Sequence, residues 1–303
     1  MIVHLVDGTY ELFRHFYGAR RAHKGSDTPF GGMRGVLHGV LEMFETGGTH
    51  VGVATDHIIE SFRNQLWRGY KTGQGIDPVL WNQFHPLEDG LAAMGVAVWP
   101  MVELEADDAL ASAAALASSD RRVEKVCIWT PDKDLAQCVV DARVVQVDRR
   151  NGQIRDAAGV QAKYGVLPSS IPDYLALVGD TADGYPGLDG FGAKSAAAVL
   201  RRFAHIEAIP VDGAEWRAGV MNSSRLARVL HEQRDLALLF RALATLRTDA
   251  PLFESVDALR WRGPTSDFAK FAEAIDAPEL IDRAERALTS MPVARAGVRY
   301  AGR

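Results

Sequence analysis

Nine carboxylates stand out by their placement. Asp7 follows the apolar run Ile2 to Val6, Asp56 follows His50 to Thr55, and Asp132 and Asp134 follow Lys125 to Thr130. Glu105, Asp107 and Asp108 open an alanine-rich segment, and Asp180 and Asp183 close an apolar one, where i, i+3 spacing puts both on one helical face. Taken singly, an aspartate at a strand end is more often a helix cap than a ligand. Brought together, so many carboxylates repel unless hard cations sit between them. The set offers oxygen ligands without His or Cys, which favours Mg²⁺ or Mn²⁺ over Zn²⁺. Two such ions about 4 Å apart suit phosphodiester hydrolysis, one activating a water and the other stabilising the leaving oxygen.

Directly after Asp183 come Gly187, Gly190 and Gly192, then Lys194 at the start of a helical segment. G-x-G before a helix can be no more than a tight connection. Lys194 and the adjacent acids favour a helix-hairpin-helix type clamp, whose open N–H groups grip duplex backbone without reading bases. Ser61 to Phe84 interleaves Arg63, Arg68 and Lys71 with Phe62, Trp67, Tyr70, Trp81 and Phe84. It reads either as an amphipathic helix pair with a solvated basic face or as a gate over the acids that passes or stacks single strands.

The acids need a scaffold that brings strand ends together. Apolar runs at Ile2–Val6, His50–Thr55, Val96–Trp99, Lys125–Thr130 and Arg143–Val147 alternate with helical patterns, including Gly32–Phe44, Pro78–Met94 and Ala106–Ala117. That alternation implies an α/β fold with a mainly parallel sheet, where ligands bind beyond the carboxyl ends of the strands. From about Ser169 the strand pattern gives way to helices at Ile171–Val178, Ala193–Phe203, Ser223–His231, Asp235–Ala244 and Ser266–Leu288. The expected division is a nuclease-type domain over 1–168, with the crossing at 61–94, a helical clamp domain over 169–290, and a tail over 291–303.

Composition sets wide bounds. The 303 residues carry a net charge of −5, which weighs against nucleic acid until the nine carboxylates are set aside, leaving +4. The two cysteines, Cys127 and Cys138, lie in apolar segments and fit buried free thiols. No signal peptide and no membrane span is expected, and the cytoplasm is the expected location.

Asp7-Gly8-Thr9 invites comparison with the DxDGT signature of aspartyl-phosphate phosphatases, but Leu5 stands where the nucleophile would be. The chain instead resembles the 5′ nuclease superfamily, comprising flap endonucleases, phage 5′-3′ exonucleases and the 5′ nuclease domain of bacterial DNA polymerase I. The resemblance runs in order through LVDGT, SFR…YK, LEADD, PDKDLAQ, LVGDTADGYPGLDGFGAKSA and LATLRTD. It implies a PIN-like domain, a helical arch, and a helix-three-turn-helix clamp able to take a K⁺ ion. The implied activity is Mg²⁺-dependent 5′-3′ exonuclease and flap cleavage, with 5′-phosphate products.

By motif, Asp7, Asp56, Glu105 and Asp107 would hold one metal and Asp132, Asp134, Asp180 and Asp183 the other, with Asp108 nearby. Lys71 would reach the scissile phosphate, assisted by Arg63 and Tyr70, with Arg68, Gly187, Gly190, Gly192 and Lys194 binding DNA. Three departures are visible: Gln74 in place of the usual basic residue after YK, Pro131 in place of the common Gly, and Gly184 in place of the common Asn. The expectation is a monomeric Mg²⁺-dependent 5′ nuclease on branched or 5′-ended DNA. The alternatives are a weakly catalytic DNA-structure-binding accessory protein and a PIN-type ribonuclease.

Overall fold

The computed structural model describes residues 1–22, 29–216 and 220–291. The tail expected over 291–303 falls, apart from Met291, outside them. In chain order the elements are β1 (Ile2–Asp7), α1 (Gly8–Ala22), α2 (Gly31–Glu45), β2 (His50–Asp56), α3 (Arg63–Leu66), α4 (Pro78–Trp81), α5 (Phe84–Ala93), β3 (Ala97–Met101) and α6 (Ala106–Ser119). There follow β4 (Lys125–Trp129), β5 (Val144–Asp148), β6 (Gln153–Arg155), α7 (Ala157–Tyr164), α8 (Ile171–Val178), α9 (Ala193–Phe203), α10 (Ser223–Glu232), α11 (Arg234–Ala244), α12 (Phe268–Ala274) and α13 (Glu279–Ser290).

The sheet runs β3-β2-β1-β4-β5-β6, parallel throughout except for the antiparallel β5–β6 hairpin. Val3, Leu5 and Val6 on β1 are fully buried, as a strand covered on both faces requires. The strand order reverses beside β1, between β2 and β4, so the chain leaves a crevice at the carboxyl ends of those strands. One face is covered by α1, α2 and α5, whose Leu12, Val36, Leu37, Val40, Leu41 and Leu91 share a core with Val51 and Val53. The other is covered by the alanine-rich α6, which packs closely on Leu5, Ala54 and Ile128 because its side chains are small.

Two helical patterns are interrupted. The one expected over Pro78–Met94 breaks at Asn82–Gln83, since Pro86 has no N–H to continue the ladder and is tolerated only in the first turn of α5. Gln83 occupies the break, its Oε1 accepting the Met33 N–H at 3.0 Å. The one over Ser266–Leu288 breaks between α12 and α13, where Asp276 adopts φ 55° and Pro278 precedes the new helix. Neither β6 nor α7 is signalled by the apolar pattern.

A second core joins Val160, Ile171, Leu175, Leu200, Leu230 and Phe240 beneath α7 to α11. Beyond Ala244 the chain returns to the first domain. Trp261 stacks on Phe44 with ring centroids 4.0 Å apart, and Phe268, Leu280 and Ala284 enter the core of α2 and α5. Residues 261–291 therefore pack with the sheet domain, although they follow α8 to α11 in sequence. Among the described residues no helix is long and apolar enough to cross a membrane.

Candidate metal centre

Each acid is positioned by the end of an element. Asp7 ends β1, where its Oδ1 accepts the Tyr10 N–H at 2.8 Å and so starts α1, while Thr130 Oγ1 donates to its Oδ2 at 3.1 Å. Asp56 ends β2 and accepts the Ala106 N–H at 2.9 Å, at the N-terminus of α6 where a helix favours an anion. Thr9 Oγ1 ties the two strand ends by accepting the Asp56 N–H at 2.8 Å. After β4 the chain folds back on itself, Asp132 Oδ1 accepting the Asp134 N–H at 2.9 Å. Asp180 Oδ1 organises the turn after α8, accepting the Ala182 N–H at 3.0 Å.

These segments bring Asp134, Asp180 and Asp183 to one point, with one carboxylate oxygen from each lying within 4.8 Å of the others. Asp134 Oδ1 is buried and has no hydrogen-bond partner. Three converging carboxylates with an orphaned oxygen and no nitrogen or sulfur donor fit a hard divalent cation. Asp132 also lies close enough to Asp7, Asp107 and Asp134 for its charge to raise the proton affinity of all three. Asp7 is pushed up to about 7, first by burial and then by the charges of Asp56 and Asp132. Burial comes first for Asp107 and Asp134 too, and Asp132 adds to both, holding them well above the usual carboxylate range.

Two lysines offset part of this charge. Lys71 Nζ lies 2.7 Å from Glu105 Oε2 and 3.3 Å from Asp183 Oδ1, and the Lys71 N–H donates to the Asp183 carbonyl at 3.0 Å. Burial opposes charge on Glu105, yet Lys71 and Arg63 together hold its carboxyl below the ordinary value. Lys133, absent from the expected site residues, places Nζ 2.6 Å from Asp180 Oδ2. Its signal was available, since a lysine between Asp132 and Asp134 is held among acids by its neighbours alone. Thr9 and Thr130 are likewise absent from the expected set.

Several expected site residues have other surroundings. Arg63 is 1% exposed, and its guanidinium bonds Glu105 at 2.8 Å, Asp108 twice at 2.7 Å, and the carbonyls of Leu243 and Thr245. With its donors so engaged it does not reach a substrate. Asp108 is turned from the cluster in the same way: Arg63 takes both oxygens, and the N–H groups of Arg247 and Glu105 take one each. That leaves Asp108 as a structural ion pair and not a metal ligand. Tyr70 is buried and donates to Glu105 Oε2 at 3.3 Å. Arg68 is exposed.

The glycine turn divides in two. Gly187 is buried, and a Cβ there would run into the backbone of Gly179, so it serves close packing of the turn against α8 and not phosphate contact. Gly190, Gly192 and Lys194 are exposed and line an open groove of about 520 Å³ with Ser195, Asn222 and Arg225. The Gly192 N–H is already engaged with Ser195 Oγ at 3.0 Å.

Residues 2–165 match the family described as 5′-3′ exonuclease, N-terminal resolvase-like domain, and residues 166–267 match 5′-3′ exonuclease, C-terminal SAM fold. DNA polymerase I of Pseudomonas aeruginosa is 32% identical over 84% of this chain, which spans 28% of that protein's length. A 5′-3′ exonuclease of Buchnera aphidicola subsp. Acyrthosiphon pisum is 28% identical over 82% of this chain and 87% of its own. The fold is shared with a flap endonuclease of bacteriophage T5, solved in a complex with DNA and metal ions, at TM-score 0.59 and 17% identity over 95% of this chain and 98% of that one.

Proposed function

This chain belongs to the 5′-3′ exonuclease family, and on that premise we propose that it is a Mg²⁺-dependent, structure-specific 5′ nuclease that hydrolyses DNA phosphodiesters and leaves 5′-phosphate ends. The observation that carries the reading is the convergence of Asp134, Asp180 and Asp183 around an orphaned Asp134 oxygen, with Asp56 and Asp132 close enough for their charges to act on Asp7 at the neighbouring strand ends. When bound, divalent ions supply Lewis acidity on both sides of the scissile bond. Asp132, Asp134, Asp180 and Asp183 would hold one ion, and Asp7, Asp56, Glu105 and Asp107 the other.

The protein's own groups do the rest. Lys71 lies between the acids and solvent, placed to meet the scissile phosphate with a point charge. Arg63 and Tyr70 act on Lys71 through Glu105, whose carboxylate they fix from the buried side. The groove beside Lys194 grips duplex backbone, and Arg68 and the aromatic residues of the crossing meet the single strand. A K⁺ ion at the clamp and action as a monomer belong to the same reading.

Cleavage of a 5′-flap DNA, its RNA counterpart and single-stranded DNA, each with Mg²⁺ or EDTA, tests it with wild type and Asp180→Asn. Mg²⁺-dependent cutting of the flap DNA that Asp180→Asn abolishes is the expected result. Binding without cleavage would leave an accessory protein, and preference for the RNA would make it a ribonuclease.

A further inference from the structure

β6 and α7 build a cationic surface beside Asp132 that the metal centre does not use. Arg155 is only 6% exposed, yet its hydrogen-bond partner is a neutral amide: Nη1 donates to Gln146 Oε1 at 3.1 Å, and Gln146 Nε2 donates to the Asp132 carbonyl at 2.5 Å. Among the described residues no carboxylate stands within ion-pair distance of Arg155. Gly159 on α7 makes room for it, since a Cβ there would stand 3.0 Å from Arg155 Cγ. One turn further along the same helical face is Lys163, exposed, with Nζ 4.9 Å from the Tyr164 ring centroid.

The Tyr164 hydroxyl oxygen is buried and has no hydrogen-bond partner. It faces the acids closely enough that, after burial, the charges of Asp132 and Asp134 help push it up to about 12. Lys163 is held below its ordinary value by burial and then by Arg155, and the opposing charges of Asp148 and Asp132 do not restore it. At the other end of this surface Arg201 of α9 donates to the Gly165 carbonyl at 3.4 Å, which joins it to the clamp.

A buried guanidinium with no carboxylate at ion-pair distance, a second cation and an orphaned hydroxyl together suit one acceptor-rich anion. A guanidinium fork matches phosphate geometry, and a phenol supplies one further donor. We propose that Arg155, Lys163 and Tyr164 form a phosphate subsite on the Asp132 side of the metal centre, holding a phosphate of the nucleic-acid strand between the acids and the clamp. This rests on the nuclease reading above and adds a site to it. The phosphate is either an internal diester or the monoester at a 5′ end.

Fluorescence anisotropy with flap and recessed-end DNA, 5′-phosphorylated or 5′-hydroxyl, in Ca²⁺ between about 50 and 200 mM salt tests it. Lys163→Ala and Arg155→Gln should each weaken binding about tenfold and lower the slope of log affinity against log salt by about 1. Tyr164→Phe should weaken binding less and leave the slope alone. Weakening confined to phosphorylated recessed ends assigns the terminal monoester, and equal weakening on all ligands assigns the internal diester. Unchanged affinity and slope in Lys163→Ala and Arg155→Gln overturn the subsite. So does an Arg155→Gln enzyme that binds DNA normally but needs more Mn²⁺, since Arg155 would then serve only to position Asp132. Wild type that binds but never cuts a flap sinks the nuclease reading, and the binding comparison still decides the subsite.

Discussion

Lys133 Nζ lies 2.6 Å from Asp180 Oδ2, so a side chain from the loop after β4 reaches across to the first turn beyond α8. The ammonium stands in a field of acids and offsets part of their repulsion when no cation is bound. Lys133→Met should therefore lower the melting temperature in EDTA, with saturating Mn²⁺ closing most of the gap. An equal deficit with and without metal would count against this.

Asp7 carries a pH consequence. Its folded-state value of about 7 lies above the ordinary 3.8, so the metal-free folded protein holds a proton that the unfolded chain releases between those limits. The unfolded state binds fewer protons there, and stability falls as pH rises from about 4 to about 7, on the order of 4 kcal/mol for this group. Urea unfolding in EDTA across that range should show the decline. Mn²⁺ affinity should rise over the same interval, because metal and proton compete, and Asp7→Asn should flatten both curves.

Asp134→Asn separates stability from activity. Removing one charge from the crowded set should stabilise the metal-free protein by roughly 1 kcal/mol. Cleavage should fall by more than the roughly 100-fold that loss of an outer-shell partner costs a metal site. Thermal unfolding in EDTA alongside single-turnover cleavage in Mg²⁺ checks both, and a loss of stability in EDTA would contradict the crowding argument.

Arg63 links Glu105 and Asp108 in a pocket closed to water. Arg63→Met leaves buried Asp108 without its cation and Glu105 with Lys71 alone, and should cost about 3–5 kcal/mol in denaturant unfolding. Arg63→Lys should recover little, because one ammonium cannot replace a bidentate fork on Asp108. A variant of wild-type stability that fails only in DNA binding would restore Arg63 to the substrate side.

The sequence exposes the sheet and the acids because both depend on local signals: apolar runs of strand length, and carboxylates at their carboxyl ends. Parallel pairing then brings Asp7, Asp56 and Asp132 to one edge whatever the connections do. What it hides is side-chain direction. Asp107 and Asp108 are neighbours in one motif, but consecutive helical positions point about 100° apart, so Asp107 joins the acids while Asp108 meets Arg63. The return of Trp261 and the last two helices is also invisible, since an amphipathic pattern does not say which domain it covers. β6 is too short to have a periodicity.

Gly184 holds the crossing against the metal centre. It adopts φ 83°, Trp67 Nε1 donates to its carbonyl at 3.0 Å, and a Cβ would fall on the Gly69 carbonyl oxygen. Gly184→Ala should destabilise the fold by more than about 1 kcal/mol and lower kcat, by moving Lys71 away from Asp183. Unchanged unfolding and unchanged kcat would show that the Gly69–Gly184 contact is dispensable.

The return of residues 261–291 to the first core makes α8 to α11 a handle fixed at both ends. The chain enters it after α7 and leaves it after α11, so it has two covalent roots on the sheet domain. A module hung from a single linker can swivel freely, but one rooted twice can only rock about the line joining its roots. Two roots limit how far the groove can move from the acids, and a cut ahead of α12 would both bare the face of α2 and α5 and remove one of them.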